Sequence, residues 1–125
     1  MRAYTVATTA VTLGIPAKWM DNVLSHFSIA GVRQSHQGIA RTLTPRAILT
    51  LAASLRLSRE LGMPLHLALD MADRLVEAGG SEAQLTTQGG VTIVVDIAAL
   101  AQDVESRLAH AVEVAPTPKR GRPPK

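Results

Sequence analysis

Three stretches of this 125-residue chain carry side chains suited to binding a polyanion. The first is Pro118-Lys119-Arg120-Gly121-Arg122-Pro123-Pro124-Lys125, four cations without an acid. An Arg-Gly-Arg core fits a narrow, electronegative groove. Gly121 lets the backbone approach the groove floor, Arg120 and Arg122 flank it, and Pro123 fixes the exit direction. The same run also reads as a basic, solubilising tail. The second stretch is Pro16 to His26. With Met20, Val23 and Leu24 turned inward, Lys18, Asn22 and Ser25 face outward, with Trp19 and His26 at the margins. Asn can pair with an adenine edge, and Lys reaches guanine or phosphate. Taken alone, this reads better as an ordinary amphipathic helix, with Trp19 at least as well suited to anchoring the core or its rim as to touching DNA. The third stretch, residues 28–43, holds Arg33, Gln34, His36, Gln37 and Arg41. Such residues suit the DNA backbone or minor groove, or simply a solvated loop.

The elements that must position these groups follow from local signals. Thr5 caps a short helix from Val6 to about Leu13, Gly14 supplies a tight turn, and Ile15 plugs the corner. Pro16 suits the first turn of a second helix, which runs to about His26 with Met20, Val23, Leu24 and Phe27 at helical spacing. Two short helices joined by a Gly-containing turn form a helix-turn-helix. Val32-Arg33-Gln34 and Ile39-Ala40-Arg41 pair as a short hairpin around residues 35–38. Thr44-Pro45 starts a third helix that reaches Leu61 and buries Ile48, Leu51, Ala52, Leu55 and Leu57, and Gly62 closes it. A fourth helix runs from near Pro64 to Glu77 on Leu65, Leu69, Ala72 and Val76, ending at Gly79-Gly80. Leu85–Thr87 and Val91–Val95 around Gly89-Gly90 form a hairpin or a lone ribbon. Asp96 caps a last helix to about Val112, striped by Ile97, Leu100, Val104, Leu108 and Val112, with Ala101 and Ala111 beside it. This strand and helix need a partner surface, either the domain itself or a second copy. Residues 115–125 are Pro-rich and basic and are expected to be disordered alone.

Composition bounds the rest. Hydrophobic residues make up 46% of the chain, with one Trp, one Tyr and one Phe, so any core is aliphatic. There is no Cys, which removes disulfides, thiolate metal sites and a Cys nucleophile. The four His stand at 26, 36, 66 and 110, without metal-ligand spacing. No apolar run spans a bilayer, and no apolar stretch of signal-peptide type opens the chain, so a cytoplasmic, nucleoid-associated location is expected. The net charge of +3 divides into +5 over residues 1–62, −6 over 63–113 and +4 over 114–125. Basic ends around an acidic middle fit a polyanion partner for the ends, or a solvated surface with accidental clustering. No nucleophile elbow, phosphate loop or paired catalytic carboxylates is found, so no enzyme activity, cofactor or metal is expected. Asp70 and Asp73, with Arg74 and Glu77, read as a solvated helix face.

The order Tyr4-Thr5-Val6-Ala7, Leu13-Gly14-Ile15, polar hairpin, Leu43-Thr44-Pro45-Arg46-Ala47-Ile48, then Arg59-Glu60-Leu61-Gly62-Met63-Pro64-Leu65 resembles the MerR-like winged helix-turn-helix domain over roughly residues 4–78. The resemblance implies a dimeric transcription regulator. It puts Lys18, Trp19 and Asn22 on the recognition helix and Arg33 and Arg41 in the wing. The Cys ligands of metal-sensing members are absent, and a strand and one helix replace the long dimerising coiled coil. The basic run at 118–125 resembles an AT-hook, which implies a minor-groove contact by Lys119, Arg120, Gly121, Arg122 and Pro123.

The expectation is a mainly α chain: a winged helix-turn-helix over residues 1–80, a strand or hairpin plus dimerisation helix over 81–114, and a basic tail over 115–125. Its partners would be double-stranded DNA, read by Lys18, Trp19, Asn22, Ser25, Arg33, Gln34, His36, Arg41 and the tail, and a second copy bound through residues 91–112. A rival reading is a protein-interaction module, an antitoxin or adaptor whose 81–112 segment is unpaired until it docks. Between the two stands an architectural or excisionase-like factor that bends DNA.

Overall fold

The computed structural model describes residues 2–34 and 40–114. Over these residues the chain is mainly helical, with two small antiparallel sheets. The order is β1 (Tyr4–Thr5), α1 (Val6–Leu13), α2 (Ala17–His26), β2 (Val32–Arg33), β3 (Thr42–Leu43), α3 (Pro45–Leu61), α4 (Leu65–Ala78), β4 (Ala83–Thr86), β5 (Thr92–Val95) and α5 (Ile97–Val114).

Helix ends fall where the capping residues direct. The Thr5 hydroxyl accepts from the Thr8 N–H at 3.0 Å and starts α1. Gly14 takes the left-handed conformation (φ 68°, ψ 36°). This turns the chain so that the N–H groups of Gly14 and Ile15 donate to the carbonyls of Val11 and Ala10. Ile15 then packs on the core, as its place at the corner predicts. The Thr44 hydroxyl accepts from the Ala47 N–H at 3.2 Å with Pro45 in the first turn of α3. Asp96 Oδ1 accepts from the Ala99 N–H at 2.9 Å and caps α5.

α3 is the axis of the molecule. Ile48, Leu51 and Ala52 join Met20, Val23, Leu24, Leu43, Leu69, Val104 and Leu108 in one apolar cluster. Ala53 and Leu57 join Ala68, Met71, Ala72, Leu75, Ala83 and Ile97 in a second. The expected burial of Ile48, Leu51, Ala52, Leu55 and Leu57 is observed, and Ala47, Thr50, Ala53 and Ser54 are buried as well. A helix enclosed on several sides does not keep the single stripe of a surface helix. The two buried hydroxyls are satisfied by their own helix: Thr50 Oγ1 donates to the Arg46 carbonyl at 3.0 Å and Ser54 Oγ to that of Leu51 at 2.7 Å.

Several expectations are corrected. Of the strand expected at Ile39–Arg41, Ile39 lies outside the described residues and Ala40 and Arg41 are not in a strand; Thr42–Leu43 pair instead with Val32–Arg33 on one side and Tyr4–Thr5 on the other. The register puts Leu43 fully into the core, a burial worth about 1.5–3 kcal/mol that Ala40 cannot supply. β1 itself was not foreseen. On α4 the buried set is Ala68, Leu69, Met71, Ala72 and Leu75, with Leu65 and Val76 only half-buried, because the helix faces both α3 and β4. On α5, Ile97, Val104, Leu108 and Ala111 are buried while Val112 is 42% exposed. That stripe lies against α1 and α3 of the same chain. The surface that covers the last helix is therefore the domain itself.

One glycine fixes how the small sheet meets α3. Gly31 has φ 94°, and a Cβ there would lie 2.1 Å from Thr44 Oγ1 and 3.1 Å from Ala47 Cβ. The Gly31 carbonyl also accepts from the Thr44 N–H at 2.9 Å. Gly31→Ala strains the backbone and collides with the cap of α3, so a loss of about 3 kcal/mol is expected. Gly14 has open space around its Cβ position, so Gly14→Ala carries only the left-handed penalty of about 1 kcal/mol. Urea unfolding of both variants checks the order; equal losses would contradict the clash.

Candidate nucleic-acid interface

The Gly14 turn and the packing of Met20, Val23 and Leu24 leave α2 with an outward polar face. Lys18, Asp21, Asn22, Ser25 and His26 are exposed on it. The Asn22 carbonyl accepts from His26 Nδ1–H at 2.7 Å, which leaves the histidine Nε2 as the outward ring nitrogen. Trp19 is different. It is only partly exposed and packs against the main core cluster. Of the two roles read for it, the rim anchor is the one the packing supports.

β2 and β3 stand beside this face. Arg33 is exposed on β2 opposite Thr42. Gln34 follows it, exposed, at a cleft of about 320 Å³ also lined by Thr5, Val6, Ala7, Asp21, Ala40 and Arg41. Arg41 crosses from the foot of β3 to α2. Its Nη2–H donates to Ser25 Oγ at 3.2 Å, and its Nη1 lies 3.8 Å from Asp21 Oδ1. Ser25 Oγ in turn donates to the Asp21 carbonyl at 2.8 Å. Two residues read separately from the sequence, Ser25 and Arg41, are thus one constellation, with Asp21 as its third member. Asp21 escaped the sequence reading because its partner lies 20 positions away and no local spacing marks the pair. His36, Lys119, Arg120, Gly121, Arg122 and Pro123 lie outside the described residues, as does Gln37.

The charge excess of the first half is not all available to a ligand. Arg46 reaches from α3 to α4, pairing with Asp73 at 3.1 Å and with Glu77. Glu77 foremost, and then Asp73, hold its guanidinium more firmly protonated than usual. Arg56 pairs with Glu60 at 3.8 Å and with Asp103 of α5 at 3.4 Å. These arginines brace helices. What remains on the α2 and β2–β3 side is Lys18, Arg33 and Arg41 against Asp21, with Arg2 stacked 5.2 Å over the Tyr4 ring at the sheet edge. Among the described residues, no group of three or more His, Asp or Glu could hold a metal ion. No helix among them is long and apolar enough to cross a membrane. No model of a known protein family matches the chain, and no curated protein matches it.

The packing separates structural from contact residues on α2. Trp19→Ala is expected to lower stability by about 2 kcal/mol through lost contacts in the core rim. Lys18→Ala and Asn22→Ala should stay within about 0.5 kcal/mol of the parent, since both side chains end in solvent. Urea midpoints at unchanged slope test this; a large loss at Asn22 would make it a structural residue.

Proposed function

We propose that this protein is a sequence-specific, double-stranded DNA-binding protein of the winged helix-turn-helix type that acts as a transcription regulator. The observation that carries the reading is the Arg41 bridge. It marks where the base of the β2–β3 hairpin meets the polar outward face of α2, so that a helix able to enter a groove and a flanking hairpin form one surface. In this reading α2 lies in the major groove, with Asn22 and Lys18 at base edges and phosphates, and the hairpin with Arg33 rests on adjacent backbone as a wing. The tail from Lys119 to Lys125 adds a tethered minor-groove contact. Tethering raises its local concentration without new contacts by the folded part. In this reading the acid-bearing face of α4, where Asp73 and Glu77 are engaged by Arg46, would face away from the duplex.

A two-fold pair of chains would read paired half-sites. The α5 stripe is covered within the chain, so the second copy would meet the apolar surface around β5 instead. There Val91, Val94 and Leu61 are exposed beside a groove of about 500 Å³. The interaction-module reading loses support for the same reason. It requires the 81–112 segment to stand unpaired, whereas β4 pairs with β5 and Ile97, Val104 and Leu108 are buried.

Gel shifts with random and A·T-rich duplexes at two salt concentrations test the reading. Binding at low salt is expected. Lys18→Ala/Asn22→Ala should weaken it by about tenfold or more, since a good base contact carries about 1–3 kcal/mol. Absence of binding, or a double variant that binds like the parent, would overturn the role of α2. Deleting residues 116–125 should flatten the log–log salt dependence by about three to four, one for each lost phosphate neutralisation. Light scattering checks the second copy: a clean dimer is expected, and a monomer at all concentrations would remove it.

A further inference from the structure

We propose that Asp21 is a specificity-determining residue that withholds Arg41 from non-specific DNA; this rests on the DNA-binding reading above. Residues 1–62 contain seven basic residues and two acids, Asp21 and Glu60. Glu60 lies at the far end of α3, 3.8 Å from Arg56. Asp21 stands on the outward face of α2, among the side chains assigned to DNA. A carboxylate there opposes every phosphate that approaches, so it weakens binding to any duplex that offers it nothing in return.

The geometry makes that carboxylate a holder for Arg41. Asp21 and Ser25 are one helical turn apart and meet the two terminal nitrogens of one guanidinium, at 3.8 Å and 3.2 Å. Ser25 gives its own proton to the Asp21 carbonyl, so its oxygen lone pair is what faces Arg41. The holder is also releasable. Asp21 is 57% exposed, its oxygen is too far from Nη1 for a hydrogen bond, and the shorter contact is to a neutral hydroxyl. Arg41 itself is only 24% exposed, but a pair whose carboxylate is open to water and which lacks a direct hydrogen bond between the charges contributes little, whereas a base edge or a phosphate in register can take two hydrogen bonds from an arginine. On arbitrary DNA, Arg41 stays on α2 and one phosphate is left unneutralised. On a site whose base edges suit the Asp21 carboxylate or the Arg41 fork, the pair opens and both groups are used. Discrimination then comes from repulsion of wrong partners as much as from attraction to the right one.

The test uses the full chain and a 30-base-pair duplex of random sequence. Asp21→Asn should tighten binding about fivefold at moderate salt and steepen the log–log salt dependence by about one, as Arg41 joins the phosphate contacts. In the Arg41→Gln background the same substitution should gain less than about twofold, with no change of slope, leaving only the direct repulsion. Asp21→Glu should bind like the parent. Thermal melts of each variant confirm that the fold is kept. An unchanged affinity in Asp21→Asn would overturn the proposal, as would a gain that persists undiminished without Arg41. Either result leaves the DNA-binding reading standing. If neither the parent nor Asp21→Asn binds any duplex at low salt, the DNA-binding reading itself falls, and this one with it.

Discussion

Close packing around α3 is the constraint on which the rest of the molecule depends. With three aromatic residues in the whole chain, stability must come from many short aliphatic contacts, and these require backbones to approach closely. α3 meets that requirement with small residues where neighbours press on it. Ala47, Ala53, Thr50 and Ser54 are all at most 2% exposed. The larger Ile48, Leu51 and Leu57 fill the spaces between. α2, β3, α4 and α5 all contribute residues to the two clusters that α3 joins. The α2 face is consequently positioned by packing that lies behind it rather than by contacts on it.

Much of this frame is written locally. Thr44-Pro45, Gly62, Gly14, Pro16 and Asp96 punctuate the chain: α1 ends before Gly14, α2 starts after Pro16, α3 starts at Pro45 and ends before Gly62, and α5 starts after Asp96. The hairpin around Gly89-Gly90 is equally local, and β4 and β5 pair as it demands. What sequence reasoning missed is non-local. Tyr4–Thr5 reads as a helix cap, and nothing in two residues announces that they also pair with a strand nearly forty positions on. The position of β3 is not fixed locally because alternation is satisfied equally well at 39–41 and at 42–43, and only the burial of Leu43 in the core decides. The bridge from Arg41 to Asp21 and Ser25 has no sequence signature at all. Charge counting failed in the same way: Arg46 and Arg56 count toward a basic half, yet Arg46 pairs with carboxylates on α4, and Arg56 with Asp103 on α5 as well as with Glu60 on its own helix.

The candidate site was legible as a set of residue types but not as an arrangement. Lys18, Asn22 and Arg33 stand exposed, as the helical and strand periods direct. Trp19 belongs to the core rim, and Ser25 serves to hold a neighbour's guanidinium. The last helix shows the clearest difference between pattern and context. Its apolar stripe is real, but a stripe does not name its partner. α1 and α3 cover all but its end, where Val112 stays exposed, and Val91 and Val94 add exposed apolar surface at the second sheet.

The clamp between Gly31 and Thr44 has a consequence beyond stability. The two feet of the hairpin are fixed independently of what joins them. One is tied by the Val32 N–H to the Ile29 carbonyl and by the Gly31 carbonyl to Thr44, and the other is anchored by Leu43 in the core. The eight residues between β2 and β3 thus span two posts already set in place. The parts that hold the hairpin, Gly31, Thr44 and Leu43, are thus distinct from Arg33, Gln34 and Arg41, which stand outside the core clusters and carry the contact chemistry proposed for this side of the molecule.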